Sequence, residues 1–219
     1  YNKNIFVISN MAVIDSDKFY YSKDNKRQRK KRNNKKKKKK SKKMIYISLG
    51  CNCDPRIILK KKFGLSKLEG YKSCPFDLCI TSFQALCLTL DNDFDNFFDG
   101  LQIIKWSNYK GDRTLAGPGF TAIKNKNGII FNHEGGGHSH IFKEGTNDDT
   151  YFTKNDFKEF KVRYSKRIKN FKDNLKKYNK INFIYKDRGN KFNEQIVKNI
   201  IIKKYGPKII KFINIEEIK

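Results

Sequence analysis

The run from Lys26 to Lys43 contains no aliphatic or aromatic side chain, and this divides the chain into two parts with different prospects. A segment with nothing apolar to bury cannot offset the entropy lost on ordering, and its like charges repel one another. Residues 1–43 carry 17 Lys and Arg against 3 Asp, about half of a formal net charge of +27 in a fifth of the 219 residues. We therefore expect a disordered, lysine-rich arm over 1–43 and one domain over 44–219, since the remaining length suits a single core. Such an arm can meet nucleic acid or another polyanion non-specifically through charge, with strong salt dependence. Composition alone identifies no partner, and Lys, Asn and Ile are abundant throughout the chain.

From Met44 the pattern becomes that of a folded protein. Met44 to Gly50 is short, apolar and β-branched, as in a buried strand. Cys51-Asn52-Cys53-Asp54-Pro55 places Asn or Asp in N-cap range and Pro in a first turn. Ile57, Ile58, Leu59 and Phe63 follow at helical spacing up to Gly64, so Cys53 is predicted at or near a helix N-terminus. A second helix is predicted through Ile80, Phe83, Leu86, Cys87 and Leu90, with Asp77 or Thr81 as its cap. Asp91 to Asp99 reads as a turn or short helix that docks Phe94, Phe97 and Phe98 inward. Residues 106–127 read as loops with a hairpin, and Gly128 to His133 as a strand ending at a histidine. Glu134 to His140 follows as a glycine-rich loop. Phe157, Phe160, Tyr164, Ile168, Phe171 and Leu175 mark a long amphipathic helix. Asn182 to Tyr185 is a further strand, Phe192 to Tyr205 a helix, and Pro207 to Ile215 a closing strand. The alternation predicts an α/β or α+β domain, a central sheet flanked by helices.

The cysteines lie at 51, 53, 74, 79 and 87. Their odd number, and a segment Ile5–Ile14 that lacks the form of a signal peptide, favour reduced thiols and a cytoplasmic setting. No apolar run approaches the roughly 20 residues that span a bilayer. No phosphate-binding glycine loop, dinucleotide fingerprint or Gly-x-Ser-x-Gly elbow is present, which argues against nucleotide chemistry and a serine elbow. No cofactor is expected.

Cys53, His133 and Asp187 each fall at a predicted strand end or helix start. A thiol hydrolase needs this set: a thiol that can ionise, an imidazole to take its proton, and an acid to orient the ring. A helix N-terminus lowers a thiol's pKa, and backbone amides there can hold a developing oxyanion. Asp77 is a second candidate for orienting His133, or a cap for the helix that follows. A metal reading competes, with Cys51, Cys53, Cys74 and Cys79 set against His133, His138 and His140. It lacks a Cys-x-x-Cys knuckle.

Several of these segments carry a resemblance. Ile47-Ser48-Leu49-Gly50-Cys51-Asn52-Cys53, Gly64-Leu65, Ser73-Cys74-Pro75-Phe76-Asp77, the Asp93-Phe94 to Phe97-Phe98 pair, Phe131-Asn132-His133 and the Arg163-Tyr164 to Arg167-Ile168 helix resemble a family of bacteria and large DNA viruses described as papain-like cysteine peptidases. The resemblance implies that Cys53, rather than Cys51, is the nucleophile, and it matches His133 to the family's strand-end histidine. The leading expectation is thus a hydrolase of amide or related acyl bonds, acting on a peptide or other acyl substrate through Cys53 and His133, with Asp187 or Asp77 as orienter. The alternative is a non-catalytic basic module that binds nucleic acid or an anionic glycan. An enzyme acting on surface polysaccharide is a third possibility.

Overall fold

A computed structural model of the chain describes residues 44–105, 121–134, 155–187 and 191–218. The basic arm, the 106–120 segment, His138 and His140 lie outside the described residues. The element order is β1 (Met44–Ser48), α1 (Asp54–Lys61), a 3-10 turn (Lys67–Glu69), α2 (Phe83–Asp91), β2 (Gln102–Lys105), β3 (Thr121–Lys124), β4 (Ile130–Phe131), α3 (Lys158–Lys177), β5 (Lys180–Tyr185), α4 (Glu194–Tyr205), β6 (Ile209–Asn214) and a closing 3-10 turn (Ile215–Glu217). The class is mixed α and β, as predicted.

The strands form two sheets of three. The first is parallel, in the order β1-β5-β6, with Ile47 opposite Phe183 and Phe183 opposite Phe212. Its middle strand is buried from Ile181 to Tyr185, and so is apolar on both faces except at Asn182 rather than alternating. The second sheet is the antiparallel meander β2-β3-β4. Its strands are only two to four residues long, too short to show a period, and β3 lay inside the stretch read as loops and a hairpin. Ile80, expected in a helix, instead exchanges backbone hydrogen bonds with Ile130 at 2.8 and 2.9 Å. The helix starts at Phe83, and its cap is neither Asp77 nor Thr81: Ser82 Oγ accepts from the Ala85 N–H.

One core joins the two sheets. Ile47, Leu49, Ile181 and Phe183 of the parallel sheet and its flank share a cluster with Ile123 and Phe131 of the meander. Along α3 the buried stripe Phe160, Tyr164, Ile168, Phe171 and Leu175 contributes to the same cluster. Phe131 packs edge-on to Phe160 and Tyr164, with ring centroids 4.9 and 4.7 Å away. Phe97, fully buried, touches Phe94, Phe98, Phe131 and Tyr164. Such offset and edge contacts add to what burial of the rings alone contributes.

A cysteine and a histidine meet between two sheets

β1 ends at Ser48, and the chain reverses through Gly50 and Cys51, both in the left-handed region at φ 80° and 77°. At Gly50 a side chain has no room: a Cβ would sit 3.2 Å from the Phe76 carbonyl oxygen and 3.2 Å from Thr81 Oγ1. The turn delivers Cys53 to the N-cap position of α1, with Pro55 in the first turn. Asn52 secures this start, since its Oδ1 accepts from the Asp54 N–H at 3.0 Å and its Nδ2 donates to Asp54 Oδ2. Lys186, just past the end of β5, donates to the same carboxylate at 2.8 Å. Cys53 therefore lies beyond the carboxyl ends of parallel strands, where open α/β sheets commonly form their sites.

The partner arrives from the other sheet. β4 ends at Phe131, and a turn closed by Glu134 N–H to Phe131 C=O carries Asn132, His133 and Glu134. His133 Nε2 stands 2.9 Å from Cys53 Sγ, although the two residues are 80 apart in sequence. For the thiol to donate in this contact, the ring must carry its proton on Nδ1. Asn132 Nδ2 also points at the sulfur, at 3.7 Å, while the Oδ1 of this buried side chain has no hydrogen-bond partner among the described residues.

Burial is the largest influence on the Cys53 thiol and pushes its pKa up; the contact with Asn132 opposes this, and the nearby Asp54 carboxylate adds to it. The expectation that the helix N-terminus leaves a low-pKa thiol is thus outweighed by desolvation.

Both acidic candidates have other partners among the described residues. Asp187 Oδ1 accepts from the Lys191 and Phe192 N–H groups and so fixes the approach to α4. Asp77, fully buried, has both carboxylate oxygens engaged: Oδ1 by Tyr71 Oη at 2.8 Å, and Oδ2 by the Cys74 N–H at 2.9 Å and Arg56 Nε at 3.8 Å. Burial pushes its carboxyl up to about 6. Cys74 and Cys79 are buried and contact the carbonyl oxygens of Lys72 and Pro75, and none of the five cysteines is in a disulfide. Among the described residues no group of three His, Cys, Asp or Glu side chains is arranged to hold a metal ion. Nor is any described helix long and apolar enough to cross a membrane.

Sequence reasoning missed Asn132 as a neighbour of the sulfur, and it missed the anchor beneath the histidine. Glu134, nearly buried, pairs with Arg163 and with Arg167, four residues apart on α3. The legible signal was that spacing, which sets both arginines on one face of a helix directed at the end of a strand.

A cleft of about 520 Å³ opens beside the turn, lined by Gly50, Cys51, Thr81, Phe83, Tyr185 and Phe192 among others. A larger cavity of about 960 Å³ adjoins Met44, Tyr46 and Tyr178, at the opposite end of β1 from Cys53. A family model described as "Putative papain-like cysteine peptidase (DUF1796)" matches residues 44–201. The chain belongs to this family. The match includes Cys53 and His133 and runs from the start of β1 into α4. No curated protein and no solved structure matches the chain.

Proposed function

We propose that this family member is a thiol hydrolase that opens an amide or related acyl bond, with Cys53 as nucleophile and His133 as general base and then general acid. The observation that carries the reading is the 2.9 Å approach of Cys53 Sγ to His133 Nε2. That separation is within the reach required for proton transfer. The thiol proton passes to Nε2 as sulfur bonds to the acyl carbon. The imidazolium then returns the proton to the departing amine or alcohol. Water, deprotonated by the same ring, cleaves the thioester and restores the thiol. Burial raises the pKa of the Cys53 thiol, which supports His133 acting as a base during attack rather than as one half of a standing ion pair.

Asp77 and Asp187 enter as positioning residues. Asp77 ties Arg56 of α1 to the 71–77 loop, and Asp187 orders the residues that follow Lys186. The cleft beside Cys51 is the proposed path for substrate. Five cysteines outside any disulfide fit a reducing, cytosol-like compartment.

The test is hydrolysis of p-nitrophenyl esters and fluorogenic peptide amides by the full chain, by Cys53→Ala and by His133→Ala. Both variants are expected to lose turnover by about 10³-fold or more while keeping the parent's circular dichroism. Undiminished turnover in Cys53→Ala would falsify the assignment.

A further inference from the structure

We propose that Asn132 is a catalytic residue, its Nδ2 amide donating first to the Cys53 sulfur as charge builds there and then to the oxygen of the tetrahedral adduct. The second part rests on the hydrolase reading; the first does not.

Three observations combine. The Asn132 side chain is buried and places Nδ2 3.7 Å from Cys53 Sγ. Its other polar atom, Oδ1, is held by no hydrogen bond among the described residues, so the amide's position is not explained as a structural tie between two parts of the fold. Buried polar atoms are normally satisfied, and exceptions concentrate where a reacting group is to be met. The third observation is that three of the first four positions of α1 offer no spare backbone donor, fewer than its place at a helix N-terminus suggests. The Asp54 N–H is taken by Asn52 Oδ1, Pro55 has no N–H, and the Ile57 N–H is bonded to the Cys53 carbonyl. Among the described residues, the side chain of Asn132 is an amide donor seen in contact with the sulfur, where negative charge appears.

In the attack, the S–H bond breaks with its proton going to His133 Nε2, the S–C bond forms, and the carbonyl π pair moves onto oxygen. No oxidant or further reactant is needed. Asn132 Nδ2 stays protonated throughout and changes only which atom accepts from it. The other groups that bear on the sulfur are His133 at 2.9 Å, Asp54 of α1 with its partner Lys186 from the end of β5, and the buried Cys79 on the 74–81 loop. None of these is altered by substitution at 132.

The first experiment needs no turnover. Alkylation of Cys53 by iodoacetamide is followed from pH 6 to pH 10, with site-resolved mass spectrometry to separate it from Cys51 and Cys87. Asn132→Ala is expected to move the Cys53 profile to higher pH and to slow alkylation at pH 8 by roughly 3- to 10-fold, the effect of one lost hydrogen bond to a charged sulfur. Asn132→Asp, which keeps the shape of the side chain and so guards against a folding failure, is expected to move it further in the same direction, because a carboxylate repels a thiolate. Profiles superimposable on the parent's in both variants overturn the proposal.

The second experiment is the acylation burst with p-nitrophenyl acetate. Asn132→Ala is expected to slow acylation by about 10²-fold or more, well beyond the change in alkylation, as loss of one oxyanion donor does. A fall no larger than the alkylation change refutes the oxyanion role. If the parent alkylates with the expected Asn132 dependence but forms no acyl-enzyme, the hydrolase reading fails and the contact of Asn132 with the sulfur stands.

Discussion

Glu134→Gln is the substitution that most directly asks whether the base is held in place from beneath. Glu134 follows His133, and its side chain is 7 % exposed between Arg163, 34 % exposed, and Arg167, 16 % exposed. Gln keeps the volume and one acceptor but removes the charge. The pair with Arg163 is open enough to solvent that its share is about 1 kcal/mol or less. Arg167 differs: its guanidinium is largely shut from water, its Nη1 already lacks a partner among the described residues, and it pairs with Glu134 Oε1 at 3.8 Å. Removing one partner of a buried pair costs about 3–5 kcal/mol, and the long 3.8 Å contact places this case at the lower end. We expect Glu134→Gln to destabilise by about 3 kcal/mol in urea unfolding, with an unchanged denaturant slope. Arg167→Met is then the decisive partner. If the cost of the single change is a stranded charge, the double variant Glu134→Gln, Arg167→Met is less destabilised than the sum of the two singles by about 1 kcal/mol or more. A Glu134→Gln protein within about 1 kcal/mol of the parent, or strict additivity in the cycle, refutes the reasoning.

Phe97→Ala removes a fully buried ring with four aromatic neighbours, and equilibrium unfolding is expected to show a loss of about 3–5 kcal/mol; a loss under about 2 would mean that the core collapses around the gap. Asp77 predicts a pH dependence with a definite sign. Its carboxyl is pushed up from 3.8 to about 6, so between those values the folded chain holds a proton that the unfolded chain has released, and the contribution to stability is complete below the window and lost as pH rises through it. The parent should lose about 3 kcal/mol relative to Asp77→Asn between pH 3.5 and pH 7, read from urea midpoints; an opposite slope would mean that Arg56 and Tyr71 hold the carboxylate ionised.

The parallel sheet and its helices were legible because their signals are local. Ile45 to Leu49 and Ile181 to Tyr185 are short, mostly apolar runs, each interrupted by a single polar residue, and Phe160 to Leu175 repeats at helical spacing on a helix long enough to show it. The meander was not legible. Gln102–Lys105 and Thr121–Lys124 become strands only because they pair with each other, and no short window of sequence encodes a partner at that distance. Ile80 shows the same effect in reverse: its place in an apolar periodicity suggested a helix, and a bridge to Ile130 overrode it. Within the site, Cys53 and His133 could be singled out by residue type and by their positions at element ends. Asn132 and Glu134 could not, because an amide or carboxylate on a turn looks alike whether it faces solvent or a sulfur.

Cys53 hangs from the parallel sheet and His133 from the antiparallel one, and the gap between them is closed by packing rather than by a shared strand. The S···N separation therefore acts as a gauge of how the two layers seat against each other. Reactivity of the sulfur should respond to steric changes well away from it, wherever a side chain wedges the layers apart or lets them settle, so drift in this family could tune or silence the proposed chemistry without touching Cys53 or His133.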